Sequence, residues 1–277
     1  MKTQWMVITP DTAKRWVESN NTNNRNLARS KVDQYANDMR KGNWHASHQG
    51  IAFYEDGAIA DGQHRLYACA ESGINLESFV TFGVARVAAS GIDCHRARKM
   101  DDQIKIAGMS DWVGKDELAI AKLARRYGNS RNSGAMSSHE AVAFCDAHKA
   151  AISTALAAFP RKLKNITTAP VALAMACAVP IVGGELVRSF GHVLLSGVMD
   201  DKKDVAAIRL RERLLADGPT FMRSDTDRIA LTRLVMRAIK AFADRQELSK
   251  LQIPDQFLFP MLLSPDADAQ AAKEAGK

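Results

Sequence analysis

The sequence predicts an α+β protein: a small mixed sheet with a few helices, followed by an all-helical half. Two observations lead there. Short runs with strand patterning, in "MVITP", "GIAFYEDGAIADG" and "ESFVTFGVARV", occur only within about the first hundred residues. Beyond about residue 105 the strand signals fade and helical periodicity takes over. With 277 residues and 46% hydrophobic content, the chain is long enough to bury one large core or two modest ones. The expected division is a first domain over 1–107, a helical domain over 108–253 and a polar tail over 254–277.

The elements follow in order. "VITPDTAKRWVESN" gives a strand and then a helix, with Thr9 placed as N-cap and Pro10 at the first helical position. After the polar loop "NNTNNRN", "SKVDQYANDMRKG" places Val32, Tyr35 and Met39 on one helical face. Ser30 would cap that helix and Gly42 would stop it. Asp56-Gly57 marks a hairpin. "QHRLYACAES" reads as a helix ending at Gly73. In the second half, "KDELAIAKLARRYG" is helical. "SSHEAVAFCDAHKAAISTALAAF" reads as one longer helix with Ser137 and Glu140 as a capping box. "APVALAMACAVPIVGG" looks like a core helix, and "GELVRSFGHVLLSG", "DVAAIRLRERLLADG" and "DRIALTRLVMRAIKAFADRQ" complete the bundle.

Composition narrows the function classes. Net charge is +7 and the pI is about 9.3. That balance suits an acidic partner such as DNA or a nucleotide phosphate, and equally a basic solvated surface. Cys69, Cys94, Cys145 and Cys177 are scattered, with no CxxC pair, and read as reduced, mostly buried thiols of a cytoplasmic protein. No run reaches the ~18 apolar residues of a membrane span, and "MKTQWMVITP" has no signal-peptide core. The oligomeric state stays open.

The stretch "DGQHR" at residues 61–65 precedes a helix and could be an anion socket or a capped turn. A helix start leaves main-chain N–H groups unpaired and carries roughly +0.5 charge. Gly62 would let a phosphate approach the backbone. Arg65 could grip it with two parallel bonds, and His64 adds a donor and a proton carrier. Asp61 could hold Arg65, cap the helix or orient a metal-bound water.

The block "NRNLARSKVDQYANDMRKGNW…GIAFYEDGAIADGQHRLYACAESG" resembles the ParB/sulfiredoxin superfamily, and more closely the DGQHR-type ParB-like proteins of bacteriophages and mobile elements. The resemblance covers residues 1 to about 107. It implies a nucleotide phosphate held by Gly62, Gln63, His64 and Arg65 in the loop, by Arg25 of the Asn24-Arg25 pair, and by Lys31 at the next helix start. Gln63 stands where sulfiredoxins carry their catalytic cysteine, and a carboxamide cannot be a thiolate nucleophile, so sulfinic acid reduction is rejected. The chain also lacks the two-arginine phosphate box and an obvious helix-turn-helix of chromosome-partitioning proteins.

A second cluster, "GIDCHRARKMDDQIKIAG", matches in Asp93, Arg96, Arg98 and Asp101 the Asp-basic-Asp pattern of the phage proteins. It reads either as a polyanion grip by Arg96 and Arg98 with Asp93 or Asp101 helping to hold Mg²⁺, or as a salt-bridged link between the halves. Arg233, Arg237 and Lys240 share one helix face opposite Leu231, Leu234, Val235, Ala238 and Phe242, and could track DNA phosphates or simply be solvated. His45 and His48 in "WHASH" lack companions at metal spacing.

Three functions remain open on the sequence. One is a nucleoside-triphosphate- and Mg²⁺-dependent nuclease or nucleotide hydrolase acting in DNA metabolism, with His64 or Asp61 as base and Mg²⁺ on Asp61 or Asp93. Another is a non-catalytic DNA-binding regulator. The third is a transferase or accessory of a DNA base-modification system.

Overall fold

The computed structural model describes the chain except residues 22, 23, 25, 92–98, 129–135, 218, 249 and 264–277. The protein is α+β, with a small mixed sheet and a majority of helix. By internal contacts it divides into two compact units, Met1–Lys99 with Ser133–His139, and Met100–Asn132 with Glu140–Lys277. Of the second cluster, Asp93, Arg96 and Arg98 lie outside the described residues, as do Arg25 and Cys94.

In the first unit β1 (Lys2–Ile8) leads into α1 (Pro10–Asn20). Thr9 caps that helix as expected, its Oγ1 accepting from Thr12 N at 3.2 Å with Pro10 in the first turn. Next come α2 (Arg29–Arg40), β2 (Ile51–Tyr54), β3 (Ile59–Asp61), α3 (Gln63–Ser72) and β4 (Leu76–Val84). The hairpin between β2 and β3 turns at Asp56-Gly57, where Asp56 Oδ1 accepts from Ala58 N and Gly57 takes φ +81°. One expectation is corrected: α2 is capped by Ala28, with no side-chain bond, and Ser30 lies inside its first turn.

The sheet order is β1-β4-β2-β3. β1 runs antiparallel to β4, β4 parallel to β2, and β2 antiparallel to β3, so the sheet is mixed. Its period-two pattern sends Ile8, Ile51, Phe53, Ile59, Leu76 and Val80 to one face, where they pack with Val17, Val32, Met39 and Leu66 from the three helices. Each such fully buried side chain contributes about 1.5–3 kcal/mol relative to exposure. Trp16 meets Phe53 edge to face at 5.0 Å, and Phe53 stacks on Phe82 at 5.2 Å. The opposite face is open: Trp5, Val7 and Phe79 stay 48%, 53% and 42% exposed.

The second unit is built from α4 (Met100–Ile106), α5 (Lys115–Gly128), most of α6 (Ser138–Ala147), α7 (Lys149–Ala157), α8 (Ala169–Val182), α9 (Gly184–Ser196), α10 (Val205–Asp217) and α11 (Asp225–Ala243). α8 is the axis of its core, with residues 170–178 buried all round against α5, α7, α9 and α11. Gly191 brings α9 close; a Cβ there would lie 2.7 Å from Ala158 Cβ and 3.0 Å from Met175 Cε. Arg211 of α10 donates to Leu194 O and Leu195 O at 2.7 and 2.9 Å, satisfying carbonyls at the end of α9. The single long helix expected over residues 137–159 is two, α6 and α7, broken at His148 with φ −114° and ψ 19°. The His148 ring is held by Leu263 O at 2.7 Å, a partner far along the chain. No helix among the described residues is long and apolar enough to cross a membrane.

Candidate functional site

The DGQHR stretch turns from β3 into α3 at Gly62, whose φ of +95° suits glycine alone. Space demands glycine as well: a Cβ at Gly62 would fall 2.4 Å from Ile51 Cδ1. On either side of this turn the polar groups are committed to one another. Asp61 Oδ1 accepts from Gly62 N at 2.6 Å, and Asp61 Oδ2 accepts from Arg65 Nη2 at 3.1 Å. Arg65 also donates to Gln49 O at 3.0 Å and Gly50 O at 2.9 Å, with its side chain only 13% exposed. The guanidinium therefore ties the start of β2 to the start of α3.

His64 makes the second tie. Its Nε2 accepts from Ala28 N at 3.1 Å, which fixes the entry of α2 beside the entry of α3. Asn24 Nδ2 completes this placement, donating to Ile59 O at 2.9 Å and to Asn21 Oδ1 at 2.7 Å. Gln63 is buried in the first turn of α3.

These ties frame a cleft of about 780 Å³ in the first unit. The N-termini of α2, at Ala28, Ser30 and Lys31, and of α3, at Gly62, Gln63 and His64, both line it. Neither helix carries an acid in its first turn or a side-chain cap, unlike α1, which has Asp11 and the Thr9 cap. Two helix dipoles thus present their positive ends to one space. Lys31 adds a full charge. It is exposed, its ammonium lies 4.7 Å from the Tyr35 ring centroid, and it forms no ion pair among the described residues. Neighbouring Arg29 is instead engaged with Glu71 at 2.6 and 2.7 Å, an interaction that holds its pKa above the ordinary value.

The structure thus brings Lys31, Asp61, Gly62, Gln63, His64 and Arg65 together around one cleft. Tyr54 and Gln49, which sequence reasoning missed, line it too. Tyr54 had a signal: it alternates with Ile51 and Phe53 in "IAFY" and must face away from the core. Arg86 sits 4.4 Å over the Tyr54 ring while bonding Asp56 at 2.6 Å. The Ala58 N–H, and after it the bond from Arg86, hold the Asp56 carboxyl below the usual carboxylate range.

Asp61 Oδ1 and Oδ2 each accept one hydrogen bond, and no group of three His, Cys, Asp or Glu side chains is assembled among the described residues. Asp101 belongs to α4 in the second unit and lies 3.9 Å from Lys115. His45 and His48 are exposed in a loop.

In the second unit Arg233, Arg237 and Lys240 do share a face of α11, opposite its buried Leu231, Leu234, Val235, Ala238 and Phe242. Arg233 stacks 5.0 Å over Phe257, and Lys240 pairs with Asp244 at 3.1 Å. Arg125 pairs with Glu140 at 2.7 Å and Arg126 with Asp225 at 2.6 Å, so those bases serve the fold. No family model, no curated protein and no solved structure matches the chain.

Proposed function

We propose that the first unit is a phosphate-binding module of ParB/sulfiredoxin type, which takes a nucleotide or a nucleic-acid phosphate into the cleft. The observation that carries this reading is the convergence of the N-termini of α2 and α3 on one space beside Lys31. The phosphate would accept from main-chain N–H groups in the first turns of both helices and from the Lys31 ammonium. Tyr35 and Tyr54 on the walls offer ring faces to a base. The basic face of α11, with Arg233, Arg237 and Lys240, is the proposed DNA contact of the second unit.

The same geometry favours binding over hydrolysis at this loop. A general base needs an available lone pair facing the attacking water. His64 Nε2 already accepts from Ala28 N, and Asp61 is engaged in positioning, each of its oxygens taking one bond, from Gly62 N and from Arg65. The loop is built as a clamp that holds two helix starts together, which suits a ligand-responsive DNA-binding regulator better than a nuclease or triphosphatase.

The test is a binding and turnover assay on the full chain. Purified protein is titrated with ATP, CTP and GTP, with and without Mg²⁺, and is separately incubated with plasmid DNA. The reading expects saturable, salt-sensitive nucleotide or DNA binding that Lys31→Ala weakens, with no release of phosphate and no nicking. Binding untouched by Lys31→Ala overturns the cleft assignment. Turnover abolished by Asp61→Asn, in a protein that still folds, overturns the non-catalytic reading.

A further inference from the structure

We infer that the outer edge of β1 pairs antiparallel with β1 of a second copy of the chain, so that two four-stranded sheets join edge to edge. β1 and β3 are the two edges of the sheet, and the fold treats them differently. β3 is three residues long, its pairing with β2 shifts register, and Asn24 Nδ2 already donates to Ile59 O at 2.9 Å. Short length, irregular pairing and a covering loop keep an edge from recruiting another strand. β1 has none of these. It runs seven residues, holds no proline, and keeps an unbroken register against β4 from Lys2–Phe82 to Ile8–Leu76. No strand among the described residues pairs with its outer side, and Lys2, Thr3, Trp5 and Val7 are exposed.

The following helix leaves that edge open as well. α1 begins just past the end of β1 but runs across to the β2–β3 hairpin, where Trp16 packs on Phe53 and Asn20 donates to Gly57 O at 2.9 Å. The outer main-chain N–H and C=O groups of β1 therefore form a template for one more strand.

The strand's own sequence selects a second copy as that occupant. An antiparallel self-pair centred on Trp5 sets Trp5 opposite the partner's Trp5, Thr3 opposite the partner's Val7 and Lys2 opposite the partner's Ile8. Its two-fold axis stands normal to the sheet, so the open faces of both copies lie on one side. Trp5 already meets Phe79 edge to face at 4.9 Å, and the pairing extends that apolar strip across the junction.

Charge agrees with this register. Lys2 is the one charged residue of β1, and antiparallel pairing holds the two copies of Lys2 about 20 Å apart, at opposite ends of the junction. Each then meets the far end of the other copy's β1, where Asp11 stands in the first turn of α1, three residues past Ile8. Lys2 pairs with Phe82 and so shares the helix side of the sheet with α1. Both Lys2 and Asp11 are exposed, and neither has an ion pair among the described residues. Self-pairing brings these opposite charges to the same end, twice by symmetry. Parallel pairing would instead set Lys2 beside Lys2. The inference does not rest on the phosphate reading of the cleft.

The test is sedimentation velocity of the full chain over a concentration series at low and at high salt. The expected result is a monomer–dimer equilibrium. Trp5→Lys places two ammonium groups at the two-fold axis and should raise the dissociation constant by about tenfold or more. Lys2→Asp and Asp11→Lys should each raise it by about 2- to 30-fold at low salt, the effect of losing two exposed ion pairs. The double variant Lys2→Asp/Asp11→Lys exchanges the charges and should recover most of the wild-type affinity. Melting temperatures close to wild type identify the variants as folded. A chain that stays monomeric at every concentration overturns the proposal. A dimer that Trp5→Lys leaves intact places the junction elsewhere and overturns it too. Dissociation in Trp5→Lys, with no recovery in the charge exchange, overturns the antiparallel register.

Discussion

Arg65 Nη2 lies 3.1 Å from Asp61 Oδ2, and the other Asp61 oxygen takes the Gly62 amide at 2.6 Å. With two further bonds to the Gln49 and Gly50 carbonyls, Arg65 acts on the protein itself, holding β2, β3 and α3 in the register that opens the cleft. Arg65→Ala is expected to remove three bonds made by a largely buried cation and to strand the Asp61 carboxylate. The cost is about 2–4 kcal/mol, read from urea unfolding of the first unit. Arg65→Lys should lose most of the same stability, because one ammonium cannot serve three acceptors spread in a plane.

Gly62 gives a prediction that separates strain from clash. Gly62→Ala pays for a left-handed backbone and for a Cβ 2.4 Å from Ile51 Cδ1, and should cost about 2–5 kcal/mol. Ile51→Val removes the clashing methyl. The double variant Gly62→Ala/Ile51→Val should therefore be more stable than the sum of the two single changes predicts, by ~1 kcal/mol or more in a double-mutant cycle.

The thiols give a pH dependence. Burial pushes Cys145 up to about 12 and Cys177 up to about 11, from a starting value of 9.0. The unfolded chain then releases these protons before the folded one. Stability is full below about pH 9 and falls as the pH rises toward 11, by at most about 1.4 kcal/mol per pH unit for each thiol. Urea unfolding under reducing conditions at several pH values checks this, with Cys177→Ala expected to show a flatter decline. The same burial predicts that neither thiol reacts with a disulfide reagent at pH 8 until the chain unfolds.

Arg211 tests the second unit independently. Arg211→Ala leaves the Leu194 and Leu195 carbonyls at the end of α9 without their donor and should cost about 1.5–3 kcal/mol, read by thermal or urea unfolding. Binding in the first-unit cleft should be unchanged.

What could be read from the sequence was local. Thr9 with Pro10, Asp56-Gly57 and the Gly73 stop each specify their turn through neighbours within four residues, and each stands where the pattern puts it. The start of α2 was not legible because Ala28 has no capping side chain; its N–H is held by His64, 36 residues later. The break at His148 was hidden for the same reason. Apolar spacing runs on through it, while its ring is captured by Leu263, 115 residues away. At the site, residue types allowed an anion socket or a capped turn, but the sequence could not show Arg65 reaching back to the carbonyls of residues 49 and 50. The positive character of the cleft rests instead on Lys31 and two helix starts brought together by tertiary bonds.

The central claim is that the first turns of α2 and α3 together bind a phosphate. The most direct measurement is amide chemical-shift mapping of the ¹⁵N-labelled protein titrated with inorganic pyrophosphate and then with nucleotide. The account predicts saturable shifts concentrated at the amides of residues 29–31 and 63–65, lost in Lys31→Ala and reduced by added salt. Shifts absent from both helix starts, or confined to the basic face of α11, would contradict it.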